Sequence, residues 1–211
     1  MVTAYDAVML RVALTVTLAL LAFRSPAQVL APYVPTPEDV VERMLTLAET
    51  TRNDVVYDLG CGDGRIPIAA AKKFGARGVG IDIDPKRIEE SRTNAKAAGV
   101  ESLVEFRLQD AMKADVSEAT VVTLFMLASG NATLRPMLTR QLRPGTRIVS
   151  HAFSMGPTWP ADKIEQFVSA RGDEVTLYLW RFDGKYRARG SGSGVGDQGS
   201  GVGGRGSVED P

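Results

Sequence analysis

Between residues 33 and 182 the chain alternates two hydrophobic rhythms. Runs with apolar side chains three and four positions apart, the spacing of one helix face, are separated by short β-branched, aromatic and aliphatic runs bounded by turn formers. The first helical rhythm is Val40, Val41, Met44, Leu45 and Leu47. Thr36-Pro37-Glu38-Asp39 opens it, with Thr36 as N-cap, proline in the first turn and acids at the positive end of the dipole, and it runs to about Ala48. Val55 to Tyr57 is a short apolar strand suited to the centre of a sheet, and a helix follows from near Asp63 through Ile66 to Phe74. Gly78-Val79-Gly80-Ile81-Asp82 repeats the strand. Asp84-Pro85, as N-cap and first helical residue, then opens a helix through Ile88 to Ala98 that stops at Gly99. Residues 104–108 form a third strand and 119–124 a fourth; a helix over about 131–142 and the turn Arg143-Pro144-Gly145 lead into a fifth strand over 146–153. Residues 164–170 and 174–182, separated by Arg171-Gly172-Asp173, read as a hairpin. Strands alternating with helices predict an α/β fold with a mainly parallel sheet and helices on both faces.

The turn after the first strand carries the most chemistry. In Asp58-Leu59-Gly60-Cys61-Gly62-Asp63-Gly64-Arg65, the glycines let the backbone turn sharply and approach a ligand with no Cβ in the way, and the next helix aims its free N–H groups at the same place. The pattern is not a complete dinucleotide fingerprint, and Asp58 at the end of the strand repels phosphate and favours a cationic ligand group. The second strand ends in Asp82, with Ile83 beside it, about 20 residues beyond the first loop glycine, where a carboxylate in nucleoside-binding units accepts hydrogen bonds from ribose hydroxyls. Asp84 is read as a helix cap and not as a ligand. The third strand ends in Gln109-Asp110-Ala111, a third acid at a third strand end; the plainer reading of Asp110 is a turn residue.

These motifs resemble the first motif of the class I S-adenosylmethionine-dependent methyltransferases. The resemblance implies a seven-stranded Rossmann-like sheet of order 3-2-1-4-5-7-6 with strand 7 antiparallel, and S-adenosyl-L-methionine as cofactor with no metal. It implies cofactor contacts from Asp58, Gly60, Cys61, Gly62, Gly64, Asp82 and Ile83, with Asp110 at the adenine amino group and the Ala111 amide at the ring. Pro32-Tyr33-Val34-Pro35-Thr36-Pro37-Glu38-Asp39-Val40-Val41 before the glycine loop narrows it: the chain is similar to the protein-lysine methyltransferases related to the enzyme that modifies the ATP synthase c subunit, and to their prokaryotic relatives. That implies a protein partner with an accessible lysine.

Composition trims the alternatives. The formal net charge is zero, 25 basic against 25 acidic residues, so no positive field points to nucleic acid. The single cysteine, Cys61, excludes an intrachain disulfide and a cysteine-based zinc site, and it fills a loop position that wants a small residue. The fourth strand runs into Leu124-Phe125-Met126-Leu127-Ala128-Ser129-Gly130-Asn131 and lacks the (Asp/Asn)-Pro-Pro-(Tyr/Phe) motif used to hold an exocyclic base nitrogen. Tyr33, Phe125, Phe153 and Trp159 are candidates for an aromatic wall around the transferred methyl and its acceptor, although each is also an ordinary core residue. His151, late in the fifth strand, is either a base for the acceptor or a buried histidine. Two other readings stand beside lysine methylation: a small-molecule or lipid and quinone methyltransferase, and a non-catalytic cofactor-binding domain.

The ends differ from the middle. Residues 12–23 are an uninterrupted apolar run preceded by Arg11. Its length suits a signal peptide with a small-x-small site at Ser25-Pro26-Ala27, which would export the protein. The need for a cytoplasmic cofactor suits an uncleaved membrane anchor, with Arg24 facing a cytoplasmic catalytic side, and this is the reading preferred. The expected organisation is an N-terminal anchor or signal segment over 1–31, a methyltransferase domain over 32–186, and a Gly/Ser-rich tail over 187–211 too poor in apolar residues to order itself.

Overall fold

In the computed structural model of the chain, residues 33–185 are described. The elements are α1 (Glu38–Leu47), β1 (Val55–Leu59), α2 (Arg65–Phe74), β2 (Arg77–Asp82), α3 (Pro85–Ala98), β3 (Val104–Leu108), a single 3₁₀ turn (Ala111–Lys113), β4 (Val121–Leu124), α4 (Ala128–Gln141), β5 (Arg147–His151), β6 (Lys163–Val168) and β7 (Glu174–Arg181). The sheet has the order β3-β2-β1-β4-β5-β7-β6. The first five strands are parallel, and β7 runs antiparallel to both β5 and β6. This is the sheet that the resemblance implied.

Strand alternation sorts the core into two faces. From β1 and β4, Val56 and Val121 join the apolar side of α1 (Val40, Val41, Met44, Leu45) and Ile66 and Ala70 of α2. Tyr57, Leu59, Val122 and Leu124 point the other way and pack with Leu134, Met137 and Leu138 of α4 and with Trp180. A third cluster holds α3 through Ile88 and Ala95 against Phe106 and Cys61. Burying a side chain of this size contributes roughly 1.5–3 kcal/mol, so the central strands are fixed from both sides. The parallel register aligns the C-terminal ends: Leu59 is level with Ile81 and with Leu124, and Leu124 with Ser150. Asp58, Asp82, Phe125 and His151 therefore gather along one edge of the sheet, where ligands of open α/β folds bind.

Several boundaries differ from the sequence reading. Helix α1 begins at Glu38 with Pro37 in the cap position and no side-chain cap bond; Thr36 is not the cap, because its carbonyl is taken by Arg65 from across the glycine loop. Helix α2 begins at Arg65, two residues later than expected, since Gly64 is left-handed and ends the turn. Helix α4 begins at Ala128, three residues early, and draws Asn131 into its first turn, where the side chain is fully buried. The Asp84 cap is as expected, accepting the Lys86 N–H at 2.9 Å, with Pro85 at the first helical position and Gly99 closing α3. The anchor or signal segment of residues 1–31 and the tail of 187–211 lie outside the described residues. Among the described residues no helix is long and apolar enough to cross a membrane.

Candidate functional site: a cleft at the carboxyl ends of the parallel strands

The β1–α2 loop is held by its neighbour strand. The Gly60 and Cys61 amides donate to the Ile81 carbonyl, at 2.8 and 3.0 Å, and the Gly62 amide donates to Asp82 Oδ2 at 2.8 Å. Asp82 Oδ1 accepts the Asp84 amide at 2.9 Å. One carboxylate thus ties the glycine turn to the start of α3. Each of its oxygens has taken one N–H and keeps capacity for another donor, as two ribose hydroxyls require. Gly62 and Gly64 sit at positive φ, +52° and +80°, and a Cβ would run into the Tyr33 ring at Gly62 and come within 2.7 Å of Phe106 at Gly64. Those two positions need glycine both for backbone conformation and for space.

A cleft of about 260 Å³ opens over this loop. Its floor and far end include Asp58, Gly60, Cys61, Gly62, Asp82, Ile83, Asp110 and Ala111, so eight of the nine residues expected at the cofactor line one cavity. Gly64 is not on the wall; it packs beneath the loop against Phe106 and Ser91. Asp110 accepts the Met112 amide at 2.9 Å and so caps the 3₁₀ turn, which makes the plainer turn reading true without removing the carboxylate from the cleft. Of the aromatic candidates, Tyr33 and Phe125 line the cleft. Phe153 and Trp159 do not: Trp159 is buried in the core, where its carbonyl accepts the Trp180 indole N–H at 3.0 Å, and the Phe153 carbonyl is tied to Asn131.

The sequence singles out Tyr33 and Thr36 but not the way residues 33–36 are strapped to the glycine loop. Arg65 donates to both Asp63 oxygens, at 2.9 and 2.5 Å, and to the Thr36 carbonyl at 2.6 Å, fastening the strap beside the loop. Burial raises the Asp63 carboxyl, but the Arg65 hydrogen bonds and charge outweigh it and hold the group below its usual value. The Arg87 guanidinium lies 3.7 Å from the centroid of the Tyr33 ring. Arg65, inside the glycine motif, could have been suspected from its place there; Arg87 carries no sequence signal, because its contact depends on how α3 meets the strap.

Electrostatically the cleft is prepared for a cation. Asp58 is buried and accepts the Thr123 hydroxyl at 2.8 Å. Burial, assisted by the Asp82 and Asp63 charges and opposed by the Thr123 bond, pushes its pKa up to about 7. An ammonium group nearby would return it to the ionised form. Burial raises the Cys61 thiol, with the Asp58 and Asp82 charges adding to the effect, so Cys61 is an inert filler and not a nucleophile. Among the described residues no cluster of His, Cys, Asp and Glu could hold a metal ion. A loop of small residues, a half-satisfied carboxylate at the second strand end and a proton-poised one at the first together fit S-adenosylmethionine, whose ribose, amino and sulfonium groups match them.

Two outcomes follow from this geometry. Asp82→Asn weakens S-adenosylmethionine binding by roughly 1–3 kcal/mol, about 5- to 150-fold in Kd, through loss of charge-assisted bonds; an unchanged calorimetric affinity would remove Asp82 from the site. Because Asp58 is protonated below pH about 7 and its ionised form suits the cofactor ammonium, affinity rises between pH about 5.5 and 7.5 with release of a proton, and Asp58→Asn abolishes that slope. The sign is consistent with stability: a carboxyl raised in the folded state makes the ligand-free protein lose stability as pH rises from about 4 to about 7. Calorimetry in buffers of different ionisation enthalpy measures the proton.

Comparison with known proteins agrees with the cleft. Residues 58–163 match the model of the ANTKMT methyltransferase domain. The chain is 45% identical over 149 residues to a protein-lysine N-methyltransferase of Saccharolobus islandicus, covering 70% of this chain and 92% of that protein. It is 33% identical over 144 residues to the human ATP synthase c-subunit lysine N-methyltransferase, a match that spans 67% of this chain and 60% of the human protein. Among solved structures, an RNA methyltransferase from Salinibacter ruber in complex with S-adenosyl-L-homocysteine superposes with a TM-score of 0.68 and is 54% identical, covering 74% of this chain and 97% of that one. With the fold, the cleft and the matched sequence in agreement, the chain belongs to the ANTKMT methyltransferase domain family of S-adenosylmethionine-dependent methyltransferases.

Proposed function

We propose that this methyltransferase modifies the side-chain amine of lysine in a protein partner. The observation that carries this reading is the 45% identity that extends over 92% of a protein-lysine N-methyltransferase. The 54% identical Salinibacter ruber protein is described as acting on RNA, which makes RNA the competing acceptor. Two features weigh against it. Basic and acidic residues balance at 25 each, whereas phosphate tracking needs an excess of the former. Strand β4 runs into Leu124-Phe125-Met126-Leu127 and offers no side-chain amide or carboxylate to grip a base amine there.

S-adenosylmethionine supplies a methyl group on a positively charged sulfur, open to in-line displacement by a neutral nucleophile. The protein's own work is to hold and align. Asp82 would hold the ribose, Asp58 the amino-acid end, and Asp110 with Ala111 the base. The Phe125 wall accepts a cationic methyl through its π face and sheds water from the acceptor. A lysine attacks only without its proton, and approach to a cationic ligand in a desolvated cleft favours the neutral amine.

The apolar run of residues 12–23 supports a second element of the proposal: it tethers the enzyme to a membrane with the catalytic domain on the cytoplasmic side, where the cofactor is made. Both parts are open to direct measurement. Protein incubated with methyl-labelled S-adenosylmethionine and a cell extract is expected to pass label to methyl-lysine after protein hydrolysis; label found only in RNA or only in organic-soluble lipid would overturn the lysine reading. Full-length chain expressed in cells is expected to sediment with membranes and retain its N-terminal peptide by mass spectrometry, whereas a chain lacking residues 1–31 stays soluble. A cleaved, exported product would contradict the tether.

A further inference from the structure

Packed against the Phe125 wall of the cleft is a polar group that the cofactor does not explain. His151 is the last residue of β5, and continuation of the register that pairs Leu124 with Ser150 sets it level with Phe125, which lines the cleft. The two rings are in contact, with centroids 4.0 Å apart and planes inclined by 32°. The imidazole is 8% exposed, and its Nδ1 is sealed from solvent without a hydrogen-bond partner. Nε2 is the nitrogen not so sealed. On the other face of β5, Asn131, fully buried, donates to the Ser150 hydroxyl at 3.1 Å and to the Phe153 carbonyl at 2.9 Å, holding the backbone that follows His151. The next residue, Ala152, is held at φ +65°, a left-handed conformation that costs a non-glycine residue about 1–2 kcal/mol.

Packing does not account for this cluster. A phenylalanine at position 151 would stack on Phe125 as well as a histidine does, with no buried nitrogen left unmatched, and an unmatched polar atom costs about 1–3 kcal/mol. A strained backbone next to an unpartnered imidazole, retained against the wall of a ligand cleft, is the signature of a group kept for a substrate. Burial also pushes the His151 pKa down to about 4, so at neutral pH the ring is uncharged and does not repel a cationic cofactor or an approaching amine.

We propose that His151 is a catalytic residue that positions the acceptor: its Nε2 accepts an N–H of the incoming amine beside Phe125 and so turns the nitrogen lone pair toward the methyl group. This deepens the lysine reading and rests on it for the identity of the amine. No proton passes to the ring. The amine arrives neutral, and the methylated product keeps its own protons as an ammonium.

The test separates the nitrogen from the ring. His151→Phe keeps the stack on Phe125 and loses the acceptor atom; His151→Gln loses the ring and returns an acceptor near the place of Nε2. At saturating cofactor, His151→Phe is expected to lower kcat about 10- to 100-fold, the loss of one well-placed hydrogen bond, with S-adenosylmethionine affinity unchanged and the melting temperature equal or higher. His151→Gln is expected to recover part of that loss. Full turnover by the Phe variant, or equal loss in both variants, would overturn the assignment, as would a parallel fall in cofactor affinity, which would make His151 a prop of the cleft wall. Both variants are assayed on whichever acceptor the wild-type enzyme labels. If that acceptor is an RNA amine, the lysine reading falls while the comparison of Phe with Gln still decides the role of His151; if the wild type labels none, both fall.

Discussion

A single carboxylate holds the cofactor end of this enzyme together. Asp82 takes the amide of Gly62 on one oxygen and that of Asp84 on the other, so the turn after β1 and the helix start after β2 are fixed to each other through two bonds of 2.8 and 2.9 Å. Beside it the turn is held by the two amides that reach the Ile81 carbonyl, the Gly64 to Cys61 bond, and the bonds of Arg65 and Asn94 to Asp63. The same carboxylate lines the cleft with acceptor capacity left on both oxygens. Its bonds to the Gly62 and Asp84 amides lie within the protein and hold the turn in the shape that faces the cleft.

Around that brace the charges are arranged by depth. Asp58, buried on the α1 side of β1 and bonded to Thr123, is raised to about 7 and answers to a cation brought close to it. Asp63, nearer the surface, is spent on Arg65, which in turn carries the strap of residues 33–36. His151, at the opposite end of the strand edge, is kept neutral. The cleft thus grades from acidic groups, Asp58, Asp82 and Asp110, to the uncharged Phe125 ring, on which His151 stacks from outside the lining.

How much of this was legible in the sequence depends on whether the cause is local. An acid placed at the end of a short apolar run announces its position at a strand end, and so Asp58, Asp82 and Asp110 all reach the cleft. The Asp84-Pro85 start of α3 was equally plain, because the cap bond closes within two residues. The order of the strands was not written in their residues; it came from likeness to a known family. The errors are long-range. Thr36 looks like a cap, but Arg65 reaches 29 residues back for its carbonyl. Trp159 looks like a site aromatic, but Trp180 and Phe182 draw it into the core. Asn131 looks like a helix start, yet its bonds to Ser150 and Phe153 pull it inside the first turn.

The central claim is that three strand-end carboxylates and the glycine turn form one berth for an adenosyl amino acid. A crystal structure of the protein with S-adenosyl-L-homocysteine tests it most directly. The account places the ribose hydroxyls on Asp82, the amino group on the Asp58 side of the loop and the adenine edge at Asp110 and Ala111. A nucleoside bound elsewhere, or one that displaces the Gly62 amide from Asp82, would contradict it.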